Sequence, residues 1–279
     1  MDSLATQIAT DSLKNSHSES GGSWILHHVM DGNYLDFSPF GKVYLPHLEL
    51  FGFDISITRH VVFMWLAAIL LIYVFIKVAK SYQSSLVPKG TTNFWEVFIV
   101  FVRDEIAKPT IGKGYEKFLP YLLTAFFFIL FGNFLGLIPF SATFTSNIAV
   151  TATLATMSFL AIQLGGIKNN GFFGYFKGLI PHGVPVFLLP IMIVVEVLGL
   201  FTKPFALAIR LFANMTAGHI VIYALISLIF VMQSYLISPV SVGMALFIYS
   251  LEVLVALLQA YIFTMLSSLF IGMAVHQEH

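Results

Sequence analysis

The chain has 279 residues, 58% hydrophobic and only 10% charged, with a mean hydropathy of +0.87 and fourteen basic side chains balanced by fourteen acidic ones. Soluble globular domains do not have this composition; polytopic membrane proteins do. The balanced charge gives no reason to expect nucleic acid, and the absence of cysteine excludes structural disulfides, thiolate metal sites and thiol nucleophiles.

The first twenty residues, "MDSLATQIATDSLKNSHSES", lack the basic start and apolar run of a signal peptide, which leaves translocation of that end to the first spanning helix. Residues 1–58 are mixed and turn-rich, with seven acidic residues against Lys14 and Lys42, and form the first domain, a water-exposed segment. The membrane domain, residues 59–279, opens with a span over about 60–76, closed by Lys77 and Lys80. Residues 91–112 carry charge at helical spacing and are apolar for too short a run to cross, so they predict an amphipathic helix in the interface. Further spans are predicted over 118–138 and 148–165, separated by the uncharged turn "PFSATFTSN".

Basic residues set the orientation. Segment 77–117 holds seven and segment 166–183 two, whereas 139–147 holds none, so the positive-inside bias puts 77–117 and 166–183 in the cytoplasm and the N-terminus outside. Beyond residue 184 the chain is almost wholly apolar apart from the turn "ISPVS" at 237–241. Upright helices over 184–236 and 240–274 would be roughly 75 and 50 Å long, against a hydrocarbon core of about 30 Å. Either each segment breaks into several crossings, or the two form a strongly tilted hairpin. With no polar loop inside either segment, the hairpin is expected, and it returns the C-terminal "HQEH" to the cytoplasm. The fold class is thus an all-α polytopic membrane protein with about five hydrophobic helices, a long tilted C-terminal hairpin and one interfacial helix.

The polar residues of the hairpin are few and spaced. Glu196, Lys203 and Arg210 recur every seven residues and Asn214 follows Arg210 by four, which places all four on one helix face. His219, nine residues beyond Arg210, turns to another face, and Glu252 and Gln259 share a face of the second helix. An arginine in the bilayer costs about 3 kcal/mol on insertion scales, and it cannot act as an acid or base. It can attract an anion or block a cation, whereas His219, Glu252 and Glu196 can exchange protons, and Asn214 and Gln259 can hold water or orient their neighbours. Two titratable clusters separated by a fixed cation describe two proton paths with a barrier between them. Lys203 sits near an expected interface, where its ammonium can snorkel. His27, His28 and His47 fit no metal-ligand spacing, and no glycine run fits a phosphate loop, so neither metal nor cofactor is expected.

These residues carry a resemblance. The stretch "KPFALAIRLFANMTAGH" (203–219), "LLQAYIFTMLSSLFIGMA" some forty residues later, and "GNFLGLIP" (132–139) closely resemble subunit a of the rotary ATP synthase, over most of the chain from about residue 58. The resemblance implies a non-catalytic stator that faces a ring of c subunits, with Arg210 opposite the ring carboxylate and two offset half-channels leading protons to and from it. It implies Asn214 and Gln259 as polar flanks of the arginine and Glu196 as an acidic group on the cytoplasmic exit side. His219 and Glu252 stand where some members have glutamate and histidine respectively, so acid and imidazole are interchanged; if the two side chains face one another in the outer half-channel, the swap keeps both groups in one site, as a proton relay requires. Implied partners are the c-ring, subunit b of the peripheral stalk, the remaining synthase subunits and membrane lipid; with no organellar targeting segment visible a bacterial inner membrane is expected, although a chain encoded inside an organelle would look similar. The rival readings are a secondary transporter whose substrate carboxylate pairs with Arg210, disfavoured by the lack of internal repeats, and a scaffold in which Arg210 pairs with Glu252.

Overall fold

The computed structural model describes residues 32, 34–36, 42–46, 49–50, 53–54, 56–84, 90–138, 141–178, 186–232 and 237–276. His27, His28, His47 and the last three residues of "HQEH" lie outside them. Among the described residues five helices are long and apolar enough to cross a membrane. They are α1 (Arg59–Ser84), α4 (Leu119–Gly136), α5 (Ile148–Asn170), α7 (Leu189–Met232) and α8 (Ser238–Val275), joined by the shorter α2 (Thr91–Phe101), α3 (Lys108–Ile111) and α6 (Phe172–Gly178). The all-α polytopic membrane architecture is present. α7 and α8 are single unbroken helices of 44 and 38 residues, so the long apolar segments do not divide into several crossings.

Two small ribbons that the residue pattern did not announce precede α1. β1 (Tyr34–Asp36) pairs antiparallel with β2 (Lys42–Tyr44), Leu35 opposite Val43, and β3 (Glu49–Leu50) pairs with β4 (Phe53–Asp54). The chain divides into two compact units. One contains residues 1–59 and 215–253, hence the ribbons and the halves of α7 and α8 nearest their connecting turn. The other contains residues 60–214 and 254–279.

In the larger unit α4 is the central element. Leu122, Phe126, Phe127 and Ile129 on it are fully buried, whereas α1 leaves Trp65, Ile69, Ile72 and Tyr73 exposed, as a lipid-facing helix does. Aromatic rings lock the interior: Trp95 of α2 stacks on Phe131, and Phe75 of α1 meets Phe127 edge-on at 4.7 Å between centroids. Between α2 and α3 the chain forms a π-helical turn, Val102–Ala107, directly before Pro109. Proline has no N–H to give the carbonyl four residues back, so the wider turn rearranges the ladder just where that bond is missing. Val102, Ile106 and Ala107 point inward from this turn with no exposure, while Asp104 on its part-exposed side pairs with Arg103 and Lys108. The Arg103 guanidinium, and next the Lys108 ammonium, hold the Asp104 carboxyl well below the usual carboxylate range.

Lipid tails are as apolar as leucine, so packing and polar contacts have to bind these helices to one another. The C-terminal part of α8 collects such contacts from several elements. Ser267 hydrogen-bonds Ser158 of α5 at 3.0 Å, Ser158 in turn meets the Tyr121 hydroxyl of α4, and Ser268 meets Thr110 of α3. At the last turn Asn169 and Asn170 donate through Nδ2 to the carbonyls of Val275 and Ala274, both at 2.9 Å, satisfying acceptors that a helix end leaves without partners. Gly272 lets the Thr110 carbonyl lie directly against the α8 backbone, where a Cβ would overlap it. Gly272→Val therefore forces α3 and α8 apart, and a destabilisation of about 1–3 kcal/mol is expected, read as a lower thermal midpoint of the detergent-solubilised protein.

Candidate proton pathway

α7 carries Glu196, Lys203, Arg210 and Asn214 along one continuous helix, which runs through Pro204 without breaking. Membrane helices tolerate such a proline because neighbouring groups compensate the missing N–H. Glu196, Lys203 and Arg210 are half-buried. Lys203 lies with Nζ 5.3 Å from the centroid of the Phe270 ring on α8, so its charge rests on an aromatic face within the protein. Asp104 forms ion pairs with Arg103 and Lys108, whereas Arg210 forms none with any described residue.

One helical turn after Arg210, Asn214 donates through Nδ2 to Oε1 of Gln259 at 2.7 Å. Gln259 is 2% exposed and Asn214 is exposed, so this bond ties an outward-facing amide of α7 to an inward-facing amide of α8. Leu207 and Leu211 of α7, with Ala260 and Phe263 of α8, belong to the buried apolar cluster of the same unit. The arginine is thereby placed on a helix whose rotation about its own axis is fixed.

The smaller unit brings Glu252 of α8 onto Gly218 of α7. A Cβ at position 218 would overlap the Glu252 carboxylate, so glycine alone gives that carboxylate its place. Glu252 is 6% exposed, and both its oxygens are buried without a hydrogen bond from any described residue. Half-buried His219 is the next residue after the glycine it covers. The Glu252 carboxyl and His219 thus lie in one unit, the carboxyl against the residue that precedes the histidine, and the buried hydroxyl of Thr216 lies on the same stretch of α7.

Arg210, Asn214, Gln259 and Glu196 belong to the larger unit and His219 and Glu252 to the smaller. Gly218, against which Glu252 lies, carries no charge or side-chain donor, so residue-type reasoning does not single it out. It stands immediately before His219 in "NMTAGH".

Residues 61–272 match the family model described as ATP synthase A chain. The chain belongs to this family. Among ATP synthase A chain relatives, one named ATP synthase subunit a, from Chloroherpeton thalassium, is 56% identical over 258 residues, covering 91% of this chain and 77% of its own length. One named ATP synthase subunit a 2, from Chlorobaculum tepidum, is 53% identical, covering 92% and 74% respectively. A more divergent member named ATP synthase subunit a, from Anaeromyxobacter sp. (strain Fw109-5), is 49% identical, covering 94% and 73%.

Two substitutions test the geometry. Gly218→Val should expel the Glu252 carboxylate from its place and lower ATP-driven proton uptake by inverted vesicles at least about tenfold, a loss on the scale of a displaced buried group. A double-mutant cycle with Asn214→Leu and Gln259→Leu should return a coupling energy of about 0.5–1.5 kcal/mol in thermal stability, as expected of one net hydrogen bond.

Proposed function

We propose that this chain is the proton-conducting stator subunit of a rotary ATP synthase, coupling transmembrane proton flow to rotation of a ring of c subunits. The observation that carries the reading is the Arg210 guanidinium, engaged by no ion pair among the described residues and held one turn from the Asn214–Gln259 bond on a helix long and apolar enough to cross a membrane. A fixed cation in that position attracts a deprotonated carboxylate of the passing ring and repels a hydrated proton. It lets the ring site arrive ionised from one side and leave protonated on the other, and it opposes a direct leak.

The roles follow from chemistry and burial. Glu252 and His219 exchange the proton in the outer half-channel, and Glu196 serves the cytoplasmic exit. Asn214 and Gln259 fix the arginine's surroundings. The chain makes and breaks no covalent bond other than those to exchanging protons, and neither cofactor nor metal enters this mechanism. It acts beside the c-ring, subunit b of the peripheral stalk and the other synthase subunits, in contact with lipid. As a multi-pass membrane protein in a bacterial inner membrane, it takes the orientation given by its basic residues, N-terminus outside and C-terminus in the cytoplasm.

Arg210→Ala should abolish ATP-driven proton pumping in inverted vesicles while the complex still assembles and hydrolyses ATP. A variant that pumps normally would overturn this reading and leave the arginine a structural role. Purification of the chain alone, active without an ATPase, would favour a self-contained transporter.

A further inference from the structure

We propose that Asn133 is a positioning residue: it sets the register of α8 beneath Gln259 and so holds the Asn214–Gln259 bond beside Arg210. Its functional consequence rests on the stator reading above, but its geometry does not.

The segment "GNFLGLIP" has no role in the proton path as described so far. In the structure its residues form a device. Gly132 and Gly136 are one turn apart on α4, and a Cβ on the first would overlap the Phe144 ring, on the second Thr143. The two glycines therefore let the loop that follows α4 fold back directly onto the helix surface. That approach delivers Thr145, whose Oγ1 donates to Oδ1 of Asn133 at 2.7 Å. With the amide oxygen taken by a donor, the amide nitrogen is turned the other way, and Nδ2 donates to the carbonyl of Ala256 on α8 at 3.4 Å. Asn133, Thr145 and Ala256 have no exposure.

Ala256 lies less than one helical turn before Gln259, so the tie and the bond it would stabilise are neighbours on α8. A slip of one residue moves a helix about 1.5 Å along its axis and turns it by roughly 100°. The 2.7 Å bond between Asn214 and Gln259 cannot survive either change. Apolar contacts discriminate poorly against such a slip, because the side chains of α8 meet hydrocarbon on either side of it. A buried amide aimed at one particular carbonyl does discriminate. The serine, threonine and asparagine ties farther along α8 hold its other end; Asn133 is the tie next to Gln259.

The chain contains no cysteine, so Asn214→Cys with Gln259→Cys supplies its only two thiols. In membranes holding the assembled complex, the yield of the disulfide between them after mild oxidation is read by gel shift of the unreacted thiols with a polymeric maleimide. Adding Asn133→Leu or the near-isosteric Thr145→Val should lower that yield about fivefold, the scale of one buried hydrogen bond, whereas Thr145→Ser should leave it at the parental value. In the cysteine-free parent, Thr145→Val should lower pumping and Thr145→Ser should restore it. Unchanged yields in Asn133→Leu and Thr145→Val, or equal losses in Thr145→Val and Thr145→Ser, would overturn the proposal. Should Asn133→Leu fail to assemble, the Thr145 pair decides alone. Because the disulfide yield requires no proton transport, it stands or falls apart from the Arg210 experiment.

Discussion

The structure depends on holding a long apolar helix still in a solvent that does not care where it lies. Hydrophobic burial organises soluble domains, but among lipid tails it gives almost no preference for one helix register over another. The C-terminal part of α8 is accordingly fastened by polar groups that lie well inside the protein. Hydroxyls of Ser158 and Thr110 hold its middle, Asn169 and Asn170 its end, and Asn133 the turn that carries Gln259. A buried polar atom without a partner costs free energy in hydrocarbon, so each tie penalises every register but one.

Glycine supplies the complementary device. At Gly132, Gly136, Gly166, Gly218 and Gly272 the absent side chain is replaced by a specific neighbour: a phenylalanine ring, a threonine, a tyrosine ring, a carboxylate and a backbone carbonyl. Four of these approaches serve helix and loop packing. The fifth, at Gly218, seats the carboxyl group of Glu252 against α7 one residue before His219. The same steric permission thus serves both helix packing and the seating of a buried carboxylate, and a methyl group at either kind of position displaces the neighbour that fills it.

Much of this was legible in the sequence because the relevant signals are local. Hydropathy and helix length need only adjacent residues, so the five long helices were readable, as was the heptad spacing of Glu196, Lys203 and Arg210. The arginine announced itself by its cost. The polar ties were not legible: Asn133 and Ala256 are 123 residues apart, and Thr110 and Ser268 are 158 apart. Nothing in the spacing of an isolated asparagine says which carbonyl it will meet. The ribbons before α1 escaped because two- and three-residue strands carry too short an alternation to register, and the π-turn because it differs from an α-helix only in which carbonyl each N–H chooses. Gly218 was visible as a residue, but its use depends on a carboxylate from another helix.

The unbroken length of α7 converts depth into sideways displacement. A helix of 44 residues extends about 66 Å, and to keep both ends within about 30 Å of hydrocarbon it must lean by roughly 60° from the membrane normal. Seven residues then carry the chain only about 5 Å deeper but about 9 Å laterally. Glu196, Lys203 and Arg210, evenly spaced along such a helix, become stations along a nearly horizontal track. The three polar side chains are therefore separated more along the membrane plane than across it.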